Sequence, residues 1–222
     1  MDIYNLSLRE RKHAKTKLAL LDGFINQLKS ISYDDISVKD VCQMAEVSEA
    51  TFFNYFPQKI DVLDYYRALS CRKIIWCVDK EGKGLSSLER IELIFELFTR
   101  QHIEPRVLHQ LMAVYLREDF CRKEECFGLS DAEILLAFPL CEGILETRNI
   151  TFDTFFEEEL KKAIENKELP ESTIIKDVLF FLWSILLGMI IAIDRESFQE
   201  RNTYYKKHLS FLWKGIKGIY HE

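Results

Sequence analysis

The sequence predicts an all-α protein, and three observations carry that expectation. Apolar residues recur at i, i+3, i+4 and i+7 through most of the chain, the spacing that lines one side of a helix. Glycine and proline, which interrupt long helices, number only eight and four in 222 residues. No run alternates apolar and polar residues between turn signals, so strands are not expected. With 48% hydrophobic and 30% charged residues, the chain has the profile of a soluble globular protein rather than a disordered one. Its length suits one or two domains with a substantial core.

Residues 1 to 6 read as a loose arm, and Ser7 to Ser30 as a first helix with Ala14, Leu18, Leu21, Ile25 and Leu28 along one side. After the turn Ser32-Tyr33-Asp34-Asp35, Ser37 caps a short helix bearing Val38, Val41, Cys42 and Ala45. Glu46 and Val47 make a tight turn, with Val47 plugging the angle between helices. Ser48 caps the next helix, whose Phe52 and Phe56 stack at i, i+4 until Pro57 ends it. This is the outline of a helix-turn-helix, whose second helix enters the major groove of DNA.

Lys59 is expected to open a fourth helix carrying Ile60, Leu63, Tyr66, Arg67 and Ile74 to about Val78, before the loop Asp79-Lys80-Glu81-Gly82-Lys83-Gly84. Ser86 or Ser87 caps a fifth, with Ile91, Ile94, Phe95 and Phe98 inward. Pro105 fits the first turn of a sixth, with Leu108, Leu111, Met112, Tyr115 and Leu116 in a stripe. Phe127-Gly128-Leu129 breaks it, and Ser130 caps a long helix over 131 to 167, interrupted near Asn149-Ile150-Thr151 and kinked by Pro139. Ser172 to Asp194 reads as a helix apolar on nearly every side, and Phe198 to Tyr220 as the last.

The net charge of −6 is unevenly spread: residues 1 to 17 hold five basic and two acidic residues, and the acidic excess lies beyond them. A basic arm on an acidic body suits a local DNA-facing edge. The start shows no secretory pattern, and the apolar run Val178 to Ile193 falls short of the ~20 residues a membrane span needs, so a cytoplasmic protein with no membrane partner is expected. Six cysteines in such a chain read as free thiols. They form no Cys-x-x-Cys pair. Cys121 and Cys126 are turned about 140° apart on a helix. His102 and His109 can share a face, but no metal site or cofactor is expected from them. The absence of a phosphate loop, a Ser elbow and a His-Glu-x-x-His run argues against an enzyme, and no catalytic residue is assigned.

Val47-Ser48-x-x-Thr51-Phe52-Phe53-Asn54-Tyr55-Phe56-x-x-Lys59, with Ala45 just before, resembles the DNA-binding signature of the TetR (tetracycline-repressor-like) family of transcriptional regulators. The likeness covers about 55 residues. It departs from the usual pattern at Glu46, where the family has glycine, and at Phe53, where it has tyrosine. The resemblance implies a three-helix helix-turn-helix head over residues 1–58 and a helical bundle over 59–222 that binds an effector and dimerises. The expected function is a ligand-responsive regulator, most simply a repressor that binds a palindromic operator as a dimer and leaves it when a small molecule binds. The alternative is a helical dimer with a degenerate head, acting through protein partners.

On the second short helix, Glu49, Ala50, Phe53 and Asn54 project to one side, flanked by Thr51 and Tyr55. Asn54 can pair with adenine N6 and N7, Ala50 can meet a thymine methyl, and Glu49 can accept from cytosine N4 while repelling phosphate. The resemblance implies phosphate or base contacts from Lys39 and phosphate contacts from Ser37, Ser48, Thr51, Tyr55 and Lys59. Lys12 and Lys15 join them from the basic arm. It also implies an effector site among the later helices, for which Phe98, His102, Met112, Tyr115, Phe138, Cys141 and Trp183 are candidates, favouring an apolar or aromatic ligand. Homodimerisation is expected through residues 172–194 and 198–220.

Overall fold

The computed structural model describes residues 6–100, 105–117, 128–147, 150–192 and 198–219. Among them are ten α-helices and no strand. They are α1 (Leu8–Leu28), α2 (Val38–Met44), α3 (Glu49–Tyr55), α4 (Asp61–Glu81), α5 (Ser87–Arg100), α6 (Pro105–Arg117), α7 (Asp131–Ala137), α8 (Phe152–Glu165), α9 (Ile175–Ala192) and α10 (Phe198–Ile219). Chain compactness divides them into two units, residues 1–73 with 103–149 and residues 74–102 with 150–222. A boundary at residue 58 separates expected roles; compactness places the first half of α4, α6 and α7 with the N-terminal helices.

In the first unit, Leu20, Phe24 and Leu28 of α1 share a core with Val41 and Cys42 of α2, Phe52 and Phe56, and Leu63, Tyr65 and Leu69 of α4. Val107, Leu111 and Val114 of α6 complete it. The rings of Phe52, Phe56 and Tyr65 succeed one another at 5.7 and 5.6 Å. Removing either buried phenylalanine side chain would cost about 3–5 kcal/mol, through lost transfer energy and the cavity left.

Two cations are buried here. Lys17, part of the basic arm in sequence, is only 7% exposed; its Nζ lies 2.7 Å from Glu133 and 4.3 Å from the centre of the Tyr65 ring. Glu133 is also the third residue of α7, and its other carboxylate oxygen accepts from Ser130 N at 2.8 Å in a capping box. Burial, then the charges of Glu133 and Asp22, push the Tyr65 hydroxyl far above the usual phenol range. Arg72 donates from Nε to Ile144 O (3.2 Å) and from Nη2 to Leu145 O (3.1 Å). It thereby gives partners to two carbonyls of the short 3-10 helix Ile144–Glu146.

The expected helix over 131–167 is corrected. It stops at Ala137; Phe138 leaves helical geometry at φ −132°, Pro139 stands in the turn beyond, and α-helix resumes only at Phe152. The residue before a proline is pushed out of the α region, so Pro139 terminates rather than kinks. Two smaller shifts concern α4: it begins at Asp61, not Lys59, and extends through three residues of the predicted loop to Glu81.

In the second unit, Phe95 of α5 meets Tyr205 of α10 at 5.3 Å and Phe156 of α8 at 6.1 Å. Leu182 and Leu186 of α9 and Leu209 of α10 are buried with them. Arg90 spans α4 and α8, 3.1 Å from Asp79 and 3.3 Å from the buried Glu159. Trp213 donates to Glu92 at 2.9 Å, and burial raises the Glu92 carboxyl despite that bond. No helix among the described residues is long and apolar enough to cross a membrane.

A candidate nucleic-acid interface on the N-terminal helices

The turn between α2 and α3 is a Schellman motif. Val47 N donates to Cys42 O at 2.9 Å and Glu46 N to Gln43 O at 3.3 Å, closing the end of α2. Glu46 occupies the left-handed position that glycine usually fills, at φ 55°. A turn without its glycine needs either a strained or an altered backbone; here the turn keeps its geometry and Glu46 bears the strain. Val47 packs against the core of the first unit, inside the angle of the two helices.

Both short helices start on serine. Ser37 Oγ accepts from Asp40 N (3.3 Å), and Ser48 Oγ accepts from Thr51 N (3.2 Å) while sharing a bond with Thr51 Oγ1 at 2.9 Å. Capping occupies the serine oxygens as acceptors; the Ser37 hydroxyl proton is not used in its capping bond. Phe52 is wholly buried, so the opposite side of α3 is left to solvent: Glu49, Ala50, Phe53 and Asn54 are exposed and Thr51 and Tyr55 half-buried. Phe53 stays 47% exposed although its ring leans on Phe52. A ring exposed to that degree is not part of the core. Lys39, on α2, is exposed, as are Lys12 and Lys15 on α1.

Lys59 is turned elsewhere. Its Nζ donates to Tyr33 O (2.6 Å), Asp34 O (3.2 Å) and Ile36 O (3.3 Å), and lies 4.5 Å from the centre of the Tyr33 ring. An ammonium has three protons, and three carbonyls take them. In this structure Lys59 thus ties the loop before α2 to the start of α4, its ammonium turned to these carbonyls and away from the position expected to meet phosphate.

Sequence reasoning missed His13. Its ring lies 4.6 Å from that of Tyr55, tilted by 58°, and so joins the exposed edge of α1 to the end of α3. The signal available was its place four and seven residues before Lys17 and Leu20, both on the packed side of α1.

The candidate effector residues separate by unit. In the second, Phe98, Phe152, Phe156 and Trp183 form a run of rings at 5.2, 6.4 and 6.2 Å, and Trp183 donates to Asp153. In the first, Phe138 packs against the core below Lys73, Met112 is half-buried on α6, and Cys141 is half-buried in the turn after Pro139. His102 and the side chain of Tyr115 lie outside the described residues, as do Cys121 and Cys126. Among the described residues no group of three metal-ligating side chains occurs.

Solved structures share this fold. A protein from Rhodococcus sp. described as a TetR-family transcriptional regulator superposes with a TM-score of 0.61 at 14% identity, over 91% of this chain and 98% of its own. GusR of Salmonella enterica gives 0.62 at 12%, over 91% and 95%. The transcriptional regulator FadR of Bacillus subtilis, solved with stearoyl-CoA, gives 0.58 at 15%, over 90% and 98%. By sequence, no family model and no curated protein matches the chain. Over about nine-tenths of the chain, the fold is that of TetR-like regulators.

Proposed function

We propose that the protein is a DNA-binding transcriptional regulator, a repressor that holds a near-palindromic operator as a homodimer and releases it when a small molecule binds. The observation that carries this reading is the side of α3 that bears Asn54, Ala50, Glu49 and Phe53. It is exposed and chemically equipped for base edges, while Phe52 and Phe56 anchor the helix from behind. Asn54 supplies the paired donor and acceptor for adenine, and Lys39, Lys12 and Lys15 supply charge for the backbone. Ser37, Ser48, Thr51 and Tyr55 add hydroxyls. Lys59 acts by holding the loop before α2 in place.

The dimer reading draws on α9 and α10. Tyr205 Oη donates to Leu186 O, so in this hairpin Phe180 and Phe211, each six residues away, fall at the same level. They are 71% and 59% exposed, with Phe181 beside them at 51%. Phenylalanine buries roughly 150–250 Å² when covered, so such a patch favours a second copy over water. For the effector, the rings around Phe98 and Trp183 favour an apolar ligand, and a fold relative holds an acyl-CoA.

The test is retention of sheared genomic DNA by the purified protein, followed by sequencing. A sharp, near-palindromic site is the expected result, and Asn54→Ala should blur it by about 1–3 kcal/mol of base discrimination. Smooth recovery that vanishes at moderate salt would instead favour a degenerate head that works through protein partners. If Asn54→Ala leaves a sharp site unchanged, the reading side of α3 is wrongly assigned.

A further inference from the structure

We propose that His13 is a phosphate-binding residue of this interface, engaged when its imidazole is protonated, so that operator binding tightens as pH falls. The proposal rests on the regulator reading above. Three observations support it. The His13 ring is exposed yet held against Tyr55 at 4.6 Å, which fixes its position beside a hydroxyl expected to meet the backbone of DNA. Helix geometry, at ~100° per residue, puts Arg9 only about 40° from His13 on the outer edge of α1, against about 100° for Lys12 and about 160° for Lys15. Of these basic residues, His13 is the one in contact with α3.

The chemistry comes from the ring. A neutral imidazole offers one N–H; the protonated form offers two and a positive charge. Histidine is the side chain whose ordinary titration falls between pH 5 and 8. Tyr55 tolerates both forms, because a tilted ring contact suits the neutral ring and a phenol face attracts the cation.

On α1, Glu10 is committed to Ser7, whose bonds hold its carboxyl below the usual range, and Lys17 is committed to Glu133. Arg9 is the cation one turn away. From α3 the titratable groups are Tyr55 itself and Glu49, nearly two turns along that helix. From α7, Glu133 is paired with Lys17, and Asp131 is exposed in the first turn. Elsewhere along α1, α2 brings Lys39 and Asp40 and meets it at Gly23, α4 meets Lys17 through Tyr65 with Asp64 and Arg67 paired to each other, and α6 brings Arg106 and His109. Phosphate favours the protonated ring, so DNA binding takes up a proton and affinity rises as pH falls.

The salt dependence of binding reads this directly. Each phosphate contact adds about 0.9 to the log–log slope, so a dimer gaining two should steepen it by about 1.8 between about pH 7.5 and pH 5.5. The probe is a duplex of about 30 base pairs carrying the genomic sequence most retained by the protein. The parent protein should show the change. His13→Gln should keep the same slope at both pH values, and His13→Arg should show the steep slope at both. Equal slopes for the parent at the two pH values, or a change that survives in His13→Gln, would overturn the proposal. DNA binding absent from the parent and from His13→Arg at both pH values would overturn the regulator reading with it. Matching thermal melts at each pH separate these outcomes from loss of fold.

Discussion

Helices α2 and α8 end in the same way but with opposite charges. At the end of α8, Lys167 takes the left-handed position at φ 60°, Glu168 N donates to Ala163 O, and Lys167 N donates to Ile164 O. At the end of α2, Glu46 takes that position with the same pair of bonds. Neither chain segment uses glycine, so both carry the strain of a side chain at positive φ, about 1–2 kcal/mol. Their surroundings differ. Lys167 lies at the negative end of a helix dipole and is favoured there, whereas Glu46 is disfavoured in the corresponding place.

The residues just past the two turns have different tasks. Beyond Lys167 stands Glu168, whose carboxylate receives Ser87 N at 3.0 Å and Leu88 N at 3.2 Å from the start of α5. Beyond Glu46 stands Val47, which fills the angle ahead of α3. One turn aims a charge at a helix end; the other aims a helix outward. In both, strain is tolerated because the residue immediately after it is placed where it is needed.

The largest effect should come from breaking the α8 turn's purpose. Glu168→Ala removes the acceptor for two N–H groups of α5 and should destabilise the protein by about 2 kcal/mol, measured by chemical denaturation. A loss below a few tenths would mean that solvent caps α5 equally well. Relieving strain should act in the other direction. Glu46→Gly removes the backbone penalty and an adverse charge, for a gain of about 1 kcal/mol. It should also sharpen DNA retention, since an acid is lost beside α3. Lys167→Gly removes a similar strain but forfeits a favourable charge, so its gain should be near ~0.5 kcal/mol. Equal gains at the two sites would show that the charges contribute nothing and that backbone geometry alone sets the cost.

The helix-turn-helix was legible because its signals are local. Ser37, Ser48 and Ser130 all cap the helices that sequence assigned them, and Phe52 and Phe56 are buried at the spacing that announced them. Tertiary partners were not legible. Lys17 read as part of a basic arm and Lys59 as a phosphate contact, yet here Glu133 and three loop carbonyls, distant in sequence, hold them. The break at Pro139 was misjudged for a related reason. Arg72, far away on α4, accepts the cost of desolvation to bind the carbonyls beyond it, which makes a non-helical path tenable there.

The buried Lys17–Glu133 pair has a consequence for how these positions can change over generations. Replacing either partner alone strands a charge in the core, at about 3–5 kcal/mol, whereas replacing both with apolar residues of like size leaves no stranded charge and costs chiefly the cap that Glu133 gives Ser130 N. The allowed route therefore runs through two substitutions at once, and related chains should show positions 17 and 133 drifting as a couple. Swapping the two residues offers no escape. A lysine at 133 has no oxygen to accept from Ser130 N, so the pair is directional as well as joint.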